Sequence, residues 1–278
     1  MPTTSVASEE LVRLAQELPI APRILAQIGL LLRDINTPSH AVLELLQRDA
    51  ALTARILRVS NSAAYASESR IASLDDAILR VGFSEVYRLT AFAAAAQVAS
   101  QHLPTYGVSA ALFRENSLLT ALVMERLAPI AGIDSQQAYV AGLMRSIGKL
   151  ALDRLFRAHG ETGSFDLDAR GPLTDWEMQV GGITNCDAAA TILDLWRFPA
   201  EIGAAIRDHY QPAPDAALAQ CLHLAAAAAD RCGHGWPGEN SYWPPVESFA
   251  ALALDAEQCD AAMRGALENF GPVRAALA

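Results

Sequence analysis

The sequence predicts an all-α, multi-helix protein, and three observations support this fold class. Apolar residues recur at steps of three and four positions along most of the chain and almost nowhere alternate, which is the period of helices and not of strands. Serine, glycine and proline stand where such helices would begin and end. With 278 residues, of which 52% are hydrophobic and 19% charged, the chain can bury a substantial core in one large or two small domains.

One helix of the N-terminal part shows how the boundaries are marked. Ser73 can cap the backbone N–H groups of the next turn, and Asp75 and Asp76 lie at the positive end of the helix dipole. Gly82 can adopt the left-handed conformation that ends a helix, so a helix is predicted over residues 74–81. The other helices predicted in this part cover residues 9–17, 22–34, 39–47, 50–62 and 84–101.

In the second part of the chain, Pro104, Gly132 and the stretch from Pro212 to Pro214 separate the helical segments. The predicted helices cover residues 109–131, 135–156, 174–181, 186–197, 200–209, 216–232 and 256–269. The run from His159 to Gly171 carries glycine, aspartate, threonine and serine, which predicts an exposed loop.

These helices are predicted to form two lobes that pack on each other within one domain over residues 10–235. The N-terminal lobe covers residues 10–103 and the second lobe covers 108–235. In the second lobe, one apolar face is expected to lie against another. The first face is formed by Phe113, Leu118, Ala121 and Leu122, and the second by Leu143, Ile147 and Leu150.

The remaining residues, 236–278, begin with an aromatic and proline-rich segment and end in a helix. The segment runs from Trp236 through Tyr242 and Trp243 to Pro245, and its prolines favour an extended backbone. Its aromatic rings can pack on the lobes or contact a partner. We favour packing on the same chain, because a buried aromatic ring removes a large apolar area from water.

The second lobe contains a motif that runs from Gly142 to Leu150 and has Arg145-Ser146 near its centre. This motif resembles the central signature of the HD phosphohydrolase superfamily, in which the two metal-binding residues His-Asp stand in place of Arg145-Ser146. In the superfamily, the metal lowers the pKa of a bound water and makes it a nucleophile. A guanidinium group has no lone pair to give and would repel a cation. The motif therefore predicts an HD-like scaffold that does not carry out HD-type hydrolysis.

The same resemblance implies that most other metal-ligand positions are also changed. Asn116 stands at the position of the first histidine ligand, Asn185 at that of a further histidine, and Ala226 at that of the last aspartate. Of the expected histidine pair only His209 remains. One histidine cannot hold a metal alone, so we expect no metal and no cofactor.

The residues at these positions leave several roles open. Arg145 could be solvated or could pair with Asp187 or Asp208, and His209 could be a histidine satisfied within the core. A polar pocket that binds phosphate or nucleotide without hydrolysing it is the other interpretation. The residues that would line this pocket are Asn116, Arg145, Ser146, Lys149, Asn185 and His209.

A longer pattern lies ahead of this motif. It includes Leu52-Thr53, Arg55, Arg58, Asn61-Ser62, Tyr65, Ser73, Ala77-Ile78 and Gly82, with Leu18-Pro19 before it and Trp196 and Pro199 after it. This pattern is similar to the HDOD family, the HD-related output domain of bacterial signalling proteins. The resemblance covers roughly residues 10 to 235 and is more specific than a single short motif. It implies an HD-like fold, with an N-terminal helical lobe packed on an HD-related lobe, and a regulatory, non-catalytic interaction module.

Within the HDOD pattern, Arg55 and Arg58 are candidates for an interaction face. If their helix packs through Leu52 and Ile56, both arginines lie to one side of that apolar stripe, where carboxylates of a partner could meet them. Arginines that are solvated or paired within the chain are the alternative. For Asn61-Ser62 we favour hydrogen bonds to the local backbone over contact with a ligand.

Composition excludes several classes of function. A formal net charge of −10 argues against nucleic-acid binding, because affinity for phosphates depends on clustered lysine and arginine. The sequence has no apolar run of about 18 residues and no signal-peptide pattern, so we expect a cytoplasmic protein without a membrane span. The four cysteines show no Cys-x-x-Cys spacing, and His223, Cys232 and His234 match no metal template.

The leading hypothesis is therefore a non-catalytic signal-transduction module that acts through protein–protein interaction. The resemblance implies partners among signalling proteins, such as kinases, receiver proteins or proteins of cyclic-dinucleotide turnover. No such domain is recognisable in the chain, so the module would act in trans. The alternative hypothesis is a nucleotide- or phosphate-binding protein, or a residual metal-dependent phosphohydrolase.

Overall fold

The structure is a computed structural model that describes residues 3–18, 21–31, 38–61, 71–98, 101–243 and 256–277. Across these residues the regular secondary structure is helical, apart from one isolated β-bridge between Leu103 and Val108. The all-α prediction is confirmed.

The described helices are numbered in chain order. The first five are α1 (Thr3–Glu17), α2 (Ala21–Leu31), α3 (Ser39–Gln47), α4 (Ala50–Ser60) and α5 (Leu74–Val98). The next five are α6 (Ala110–Leu127), α7 (Ser135–Met144), α8 (Ile147–Ala158), α9 (Leu167–Arg170) and α10 (Leu173–Gly181). The last four are α11 (Asn185–Leu195), α12 (Ala200–Asp208), α13 (Ala217–Ala229) and α14 (Ala256–Leu277). A 3₁₀ turn at Pro104–Tyr106, a π turn at Asp230–His234 and a 3₁₀ turn at Glu239–Tyr242 complete the described elements.

Three glycines lie where helices bend or approach each other closely. Gly82 has a φ of 82° inside α5, so the predicted helix end at this residue is a kink between two helical parts. The single helix predicted over 135–156 is wrong, because the chain turns at Arg145-Ser146 between α7 and α8. This turn lets Gly142 pack on the backbone of α6 and Gly148 on the backbone of α11.

Other predicted boundaries differ at the ends. The helix predicted over 109–131 ends at Leu127, because Pro129 lacks an N–H group and restricts the residue before it. The predicted loop from His159 to Gly171 contains the single turn α9. The last helix continues beyond residue 269 to Leu277. The predicted helix residues 32–34, 62 and 99–100 lie outside the described residues.

The core runs through both halves of the fold. α6 packs against α7, α13 and α14, while α11 packs against α8 and α12. The first helix, α1, also packs on α8 and α11, and α2 and α4 pack on α5. The side chains expected on the two facing apolar surfaces of the second lobe are all buried, namely Phe113, Leu118, Ala121, Leu122, Leu143, Ile147 and Leu150.

The aromatic segment that follows the π turn packs on its own chain. Trp236 is 2% exposed and meets the rings of Phe113 and Tyr106 edge to face at centroid distances of 5.2 Å and 6.2 Å. Tyr242 stacks on Tyr210 at 4.3 Å. The structure therefore agrees with our preference for packing of these aromatic rings on their own chain over contact with a partner. Among the described helices, none has both the length and the apolar character that crossing a bilayer requires.

Candidate functional site

The turn between α7 and α8 places two cationic side chains inside the protein. Arg145 directly follows α7 and is 1% exposed, and Lys149, in the first turn of α8, is 0% exposed. Their helices approach α6 and α11 closely, because Gly142 and Gly148 carry no Cβ atom at the contacts. Burial of two like charges is costly unless anions and hydrogen bonds compensate them.

Arg145 is held by one anion and two neutral groups. Its Nη1 donates to Oε1 of Glu239 at 2.8 Å and lies 3.3 Å from Nε2 of His209. Its Nη2 donates to Oδ1 of Asn116 at 2.7 Å. Asn116 in turn donates from Nδ2 to the backbone carbonyl of His234 at 2.7 Å. The guanidinium group thus connects α6, the end of α12 and the C-terminal segment.

The Glu239 carboxylate is the point at which the donors converge. Its Oε1 accepts hydrogen bonds from Arg145, from Nζ of Lys149 and, at 2.8 Å, from the Tyr210 hydroxyl. Glu239 is itself 1% exposed. Burial raises the pKa of this carboxyl group, but the two adjacent cations outweigh burial and hold its pKa well below the usual range. The carboxylate therefore stays charged.

Lys149 lies between the anion and an aromatic wall. Its Nζ is 4.4 Å from the centre of the Trp236 ring and 3.2 Å from the Tyr210 hydroxyl oxygen. Burial lowers the pKa of Lys149, and the nearby charge of Arg145 acts in the same direction, whereas Glu239 opposes them. For Arg145, burial also disfavours the charge, but the attraction of Glu239 prevails and raises its pKa.

His209 is a neutral hydrogen-bond acceptor in this network. Its Nδ1 lies 2.7 Å from the carbonyl oxygen of Ile206, to which it donates. Its Nε2 is then free to accept from Arg145. Burial and the charge of Arg145 lower the pKa of His209 to about 3. The interpretation of His209 as a histidine satisfied within the core agrees with these contacts.

A second buried carboxylate, Glu177, lies beside the network. It accepts hydrogen bonds from the Tyr106 hydroxyl at 2.8 Å and from the backbone N and Nδ2 of Asn185 at 2.8 Å and 2.9 Å. Burial raises its pKa to about 7, although the charge of Lys149 works against this shift. Near neutral pH, this group is therefore able to take up or release a proton within the protein.

The structure brings together four of the six predicted pocket residues. Asn116, Arg145, Lys149 and His209 belong to one hydrogen-bonded network. Asn185 is directed to Glu177 instead. Ser146 is buried, and its hydroxyl has no partner among the described residues.

Arg145 forms an ion pair, which was one of the roles left open for it, but its predicted partners were wrong. The side chain is not solvated, and it pairs with Glu239 rather than with Asp187 or Asp208. Asp187 instead forms the capping contacts of α11 with Thr184, and Asp208 is exposed. The reason is that the C-terminal segment folds back over the turn between α7 and α8 and supplies the carboxylate from 94 residues away.

These residues do not fit a divalent metal. Arg145 places a fixed positive charge in the pocket, and the neutral acceptors Asn116 and His209 are already engaged by its guanidinium group. The described part of the chain contains no cluster of three histidine, cysteine or acidic side chains arranged to hold a metal ion. His223 and His234 are separately engaged, with the carbonyl of His209 and with Glu115.

The N-terminal signature residues have mainly structural contacts. Asn61 donates from Nδ2 to the carbonyl oxygens of Leu57 at 2.7 Å and Ile71 at 2.8 Å, and its Oδ1 accepts from the backbone N of Ile71 at 2.8 Å. Ser73 caps α5 by accepting from the backbone N of Asp76 at 3.0 Å. Asn61 therefore closes the connection between α4 and α5. Ser62 and Tyr65 lie outside the described residues.

The model of the HDOD domain family matches residues 18–212. No protein of curated function matches the chain at a significant level.

Several solved structures have the same fold. A Shewanella amazonensis protein, provisionally named a phosphohydrolase, is 23% identical, with a TM-score of 0.68 over 97% of this chain and 98% of its own. A Marinobacter aquaeolei protein, provisionally named a signal transduction protein, is 22% identical, with a TM-score of 0.74 over 98% of this chain and 65% of its own. An HDOD domain protein of unknown function from Geobacter sulfurreducens is 20% identical, with a TM-score of 0.66 and coverage of 97% of both chains. These likenesses confirm the HD-like helical fold.

Proposed function

Since this chain belongs to the HDOD domain family, whose model matches residues 18–212, we propose that it is a non-catalytic signal-transduction module that acts by binding other proteins. The observation that carries the proposal is the Arg145 guanidinium group at the centre of the HD-like pocket. By resemblance to the HD signature it stands where a metal ligand is expected, and it is compensated by Glu239, Asn116 and His209. A guanidinium group repels a divalent cation and engages the neutral acceptors that could bind one, which supports a module without metal-dependent hydrolysis.

The same network suits a module that presents a stable surface. Arg145, Lys149 and Glu239 tie α6, α8 and the C-terminal segment together through contacts that are buried and directional. A rigid helical core leaves the outer faces of the helices for recognition. Signalling proteins, among them kinases, receiver proteins and proteins of cyclic-dinucleotide turnover, are the partners we propose.

The absence of catalysis is tested by restoring the HD motif. We expect Arg145→His with Ser146→Asp to yield no metal-dependent turnover of phosphoesters, because Asn116 and Ala226 leave the ligand set incomplete. The measurement is metal analysis of the purified wild type and double variant, with a phosphoester screen in Mn²⁺, Mg²⁺ and Fe²⁺. Stoichiometric metal in the wild type, with turnover that His209→Ala abolishes, would overturn the proposal.

The Arg55–Arg58 face of α4 is the surface we propose for protein recognition. Leu52 and Ile56 are buried on the opposite side of this helix, while Arg58 is exposed and Arg55 is partly exposed. Neither arginine has an ion pair with a described residue. Two guanidinium groups one turn apart suit a partner that carries carboxylates.

We expect Arg55→Glu with Arg58→Glu to reduce capture of the main partner from native cell extract at least about tenfold, which corresponds to about 1.4 kcal/mol. The helical circular-dichroism spectrum and the melting temperature should stay near those of the wild type, because the changes lie outside the core. Quantitative mass spectrometry of the captured proteins is the measurement. Arg264→Glu on the exposed side of α14 is the control for altered charge. Equal capture by wild type and double variant would exclude this face.

A further inference from the structure

Arg145 and Lys149 bind an anion of the same chain, the Glu239 carboxylate, and this residue lies outside the part of the chain that matches the HDOD family model. Glu239 lies in the segment 236–243, whereas the HDOD match ends at residue 212. Its carboxylate accepts hydrogen bonds from both cations and from the Tyr210 hydroxyl. Two buried cations and a hydroxyl group that point to one oxygen atom have the geometry of a site that binds an oxyanion.

We propose that Arg145, Lys149 and Tyr210 form an anion-binding site, in which the Glu239 carboxylate is the resident ligand and a phosphoryl group of a small molecule is the exogenous ligand that displaces it. This inference goes beyond the proposed function, since it gives the module a chemical input and does not depend on which protein it binds.

The crowding of donors on one oxygen favours a phosphoryl group over a second carboxylate. Glu239 Oε1 receives all three donors of the site on a single atom. A phosphoryl group offers three acceptor oxygens, so it can accept from Arg145, Lys149 and Tyr210 on separate atoms, which a carboxylate with two oxygens cannot do.

The proposed exchange requires the turn Glu239–Tyr242 to leave the two cations. Gly238 precedes this turn with a φ of 79°, and Trp236 before it is anchored in the core at 2% exposure. The turn is held by half-buried Tyr242, whose hydroxyl lies 3.1 Å from the backbone N and 2.9 Å from the Oγ1 of Thr174. In the proposed exchange these Tyr242 contacts break, and Trp236 stays in place.

The exogenous anion competes with an internal one. A ligand on a short tether acts at an effective concentration in the millimolar range, so Glu239 weakens the binding of any soluble phosphate by competition. Removal of its charge abolishes the competition and leaves two buried cations without an anion. The variant should therefore bind phosphate more tightly than the wild type and should be stabilised by it.

The test compares three proteins: the wild type, the single variant Glu239→Gln, and the double variant that carries both Arg145→Met and Glu239→Gln. Each protein is titrated with inorganic phosphate in a calorimeter. Each is also melted in phosphate and in chloride at equal ionic strength. We expect Glu239→Gln to bind phosphate at least about tenfold more tightly than the wild type, because the internal competitor is lost. We also expect phosphate to raise its melting temperature by several degrees and the variant that also lacks Arg145 to lose both effects. Parallel titration with a nucleoside monophosphate identifies the source: tighter binding than phosphate supports a nucleotide, and equal binding supports the free anion.

The matched control removes a different buried carboxylate. Asp153→Asn leaves Arg157, whose side chain is 48% exposed, and therefore creates no closed anion site. Phosphate should not restore its stability. Folding of Glu239→Gln only in phosphate supports the site. If this variant folds in neither buffer, Glu239→Asp is tested in its place. Phosphate must then raise the melting temperature of Glu239→Asp more than that of the wild type. Equal phosphate responses in the Glu239 variant, the wild type and Asp153→Asn would overturn the proposal.

Discussion

Replacement of Gly148 by alanine is expected to destabilise the protein by at least about 3 kcal/mol, at the upper end of overpacking costs. The new Cβ would overlap the carbonyl oxygen of Asn185 and lie 2.7 Å from the backbone N of Ala189. Both obstacles are backbone atoms of α11, which cannot rotate away as a side chain does. Relief requires that α8 and α11 separate, and this movement would also disturb the hydrogen bonds between Asn185 and Glu177. Urea denaturation followed by circular dichroism measures the loss.

A second glycine facing α11 provides the control. A Cβ at Gly203 in α12 would lie 3.8 Å from the carbonyl oxygen and 3.9 Å from the Cα of Ala190, which are ordinary contacts. Gly203→Ala should therefore be neutral or should stabilise the protein by up to about 1 kcal/mol through its greater helix propensity. If Gly148→Ala and Gly203→Ala have similar stability, the close approach of α8 to α11 is not what fixes the motif.

Local features of the fold could be predicted because the residues that cause them are adjacent in sequence. Ser73 caps α5 as expected, and Gly82 interrupts it with a positive φ. Hydrophobic spacing likewise located most of the described helices. The turn at Arg145-Ser146 could not be found in this way, since apolar residues continue on both sides of it. It depends on contacts of Gly142 and Gly148 with two other helices.

The candidate site could be predicted only in part. The resemblance to the HD signature predicted that Asn116, Arg145 and His209 share one pocket, and the structure places them in hydrogen-bond contact. Glu239 was missed because no local pattern links it to Arg145. A charge argument could have indicated such a residue: two cations four residues apart in a buried motif require a buried anion. Glu239 is the acidic residue of the aromatic segment that packs on this motif.

Other residues around the site were missed because their types alone predict no role. Tyr210 and Trp236 enclose Lys149, and Tyr106 donates to Glu177 beside the predicted Asn185. Each of the missed side chains can serve in a core by itself. Their contacts with Lys149 and Glu177 arise only in the tertiary structure.

Loss of the Arg145 charge is expected to have the other large effect. Arg145→Met should cost about 3–5 kcal/mol, the usual penalty for removing one partner of a buried ion pair. Asn116 and His209 lose the N–H groups that satisfy them, and Glu239 retains Lys149 as its single cation within the described residues. Lys149 cannot replace the guanidinium group, because an ammonium group does not reach three acceptors in fixed directions.

Combining Glu239→Gln with Arg145→Met should cost less than the two separate changes together, because Glu239→Gln alone leaves two buried cations without their anion, whereas the double variant leaves only Lys149. We expect the double variant to be more stable than the sum of the two single changes predicts, by about 2 kcal/mol. Urea denaturation of the wild type, both single variants and the double variant measures this coupling. The corresponding cycle of Asp153→Asn and Arg157→Met should give less than about 1 kcal/mol, since Arg157 is 48% exposed and water screens its pair. Additivity of the Arg145 and Glu239 changes within about 0.5 kcal/mol would contradict the account of Glu239 as the anion that compensates Arg145.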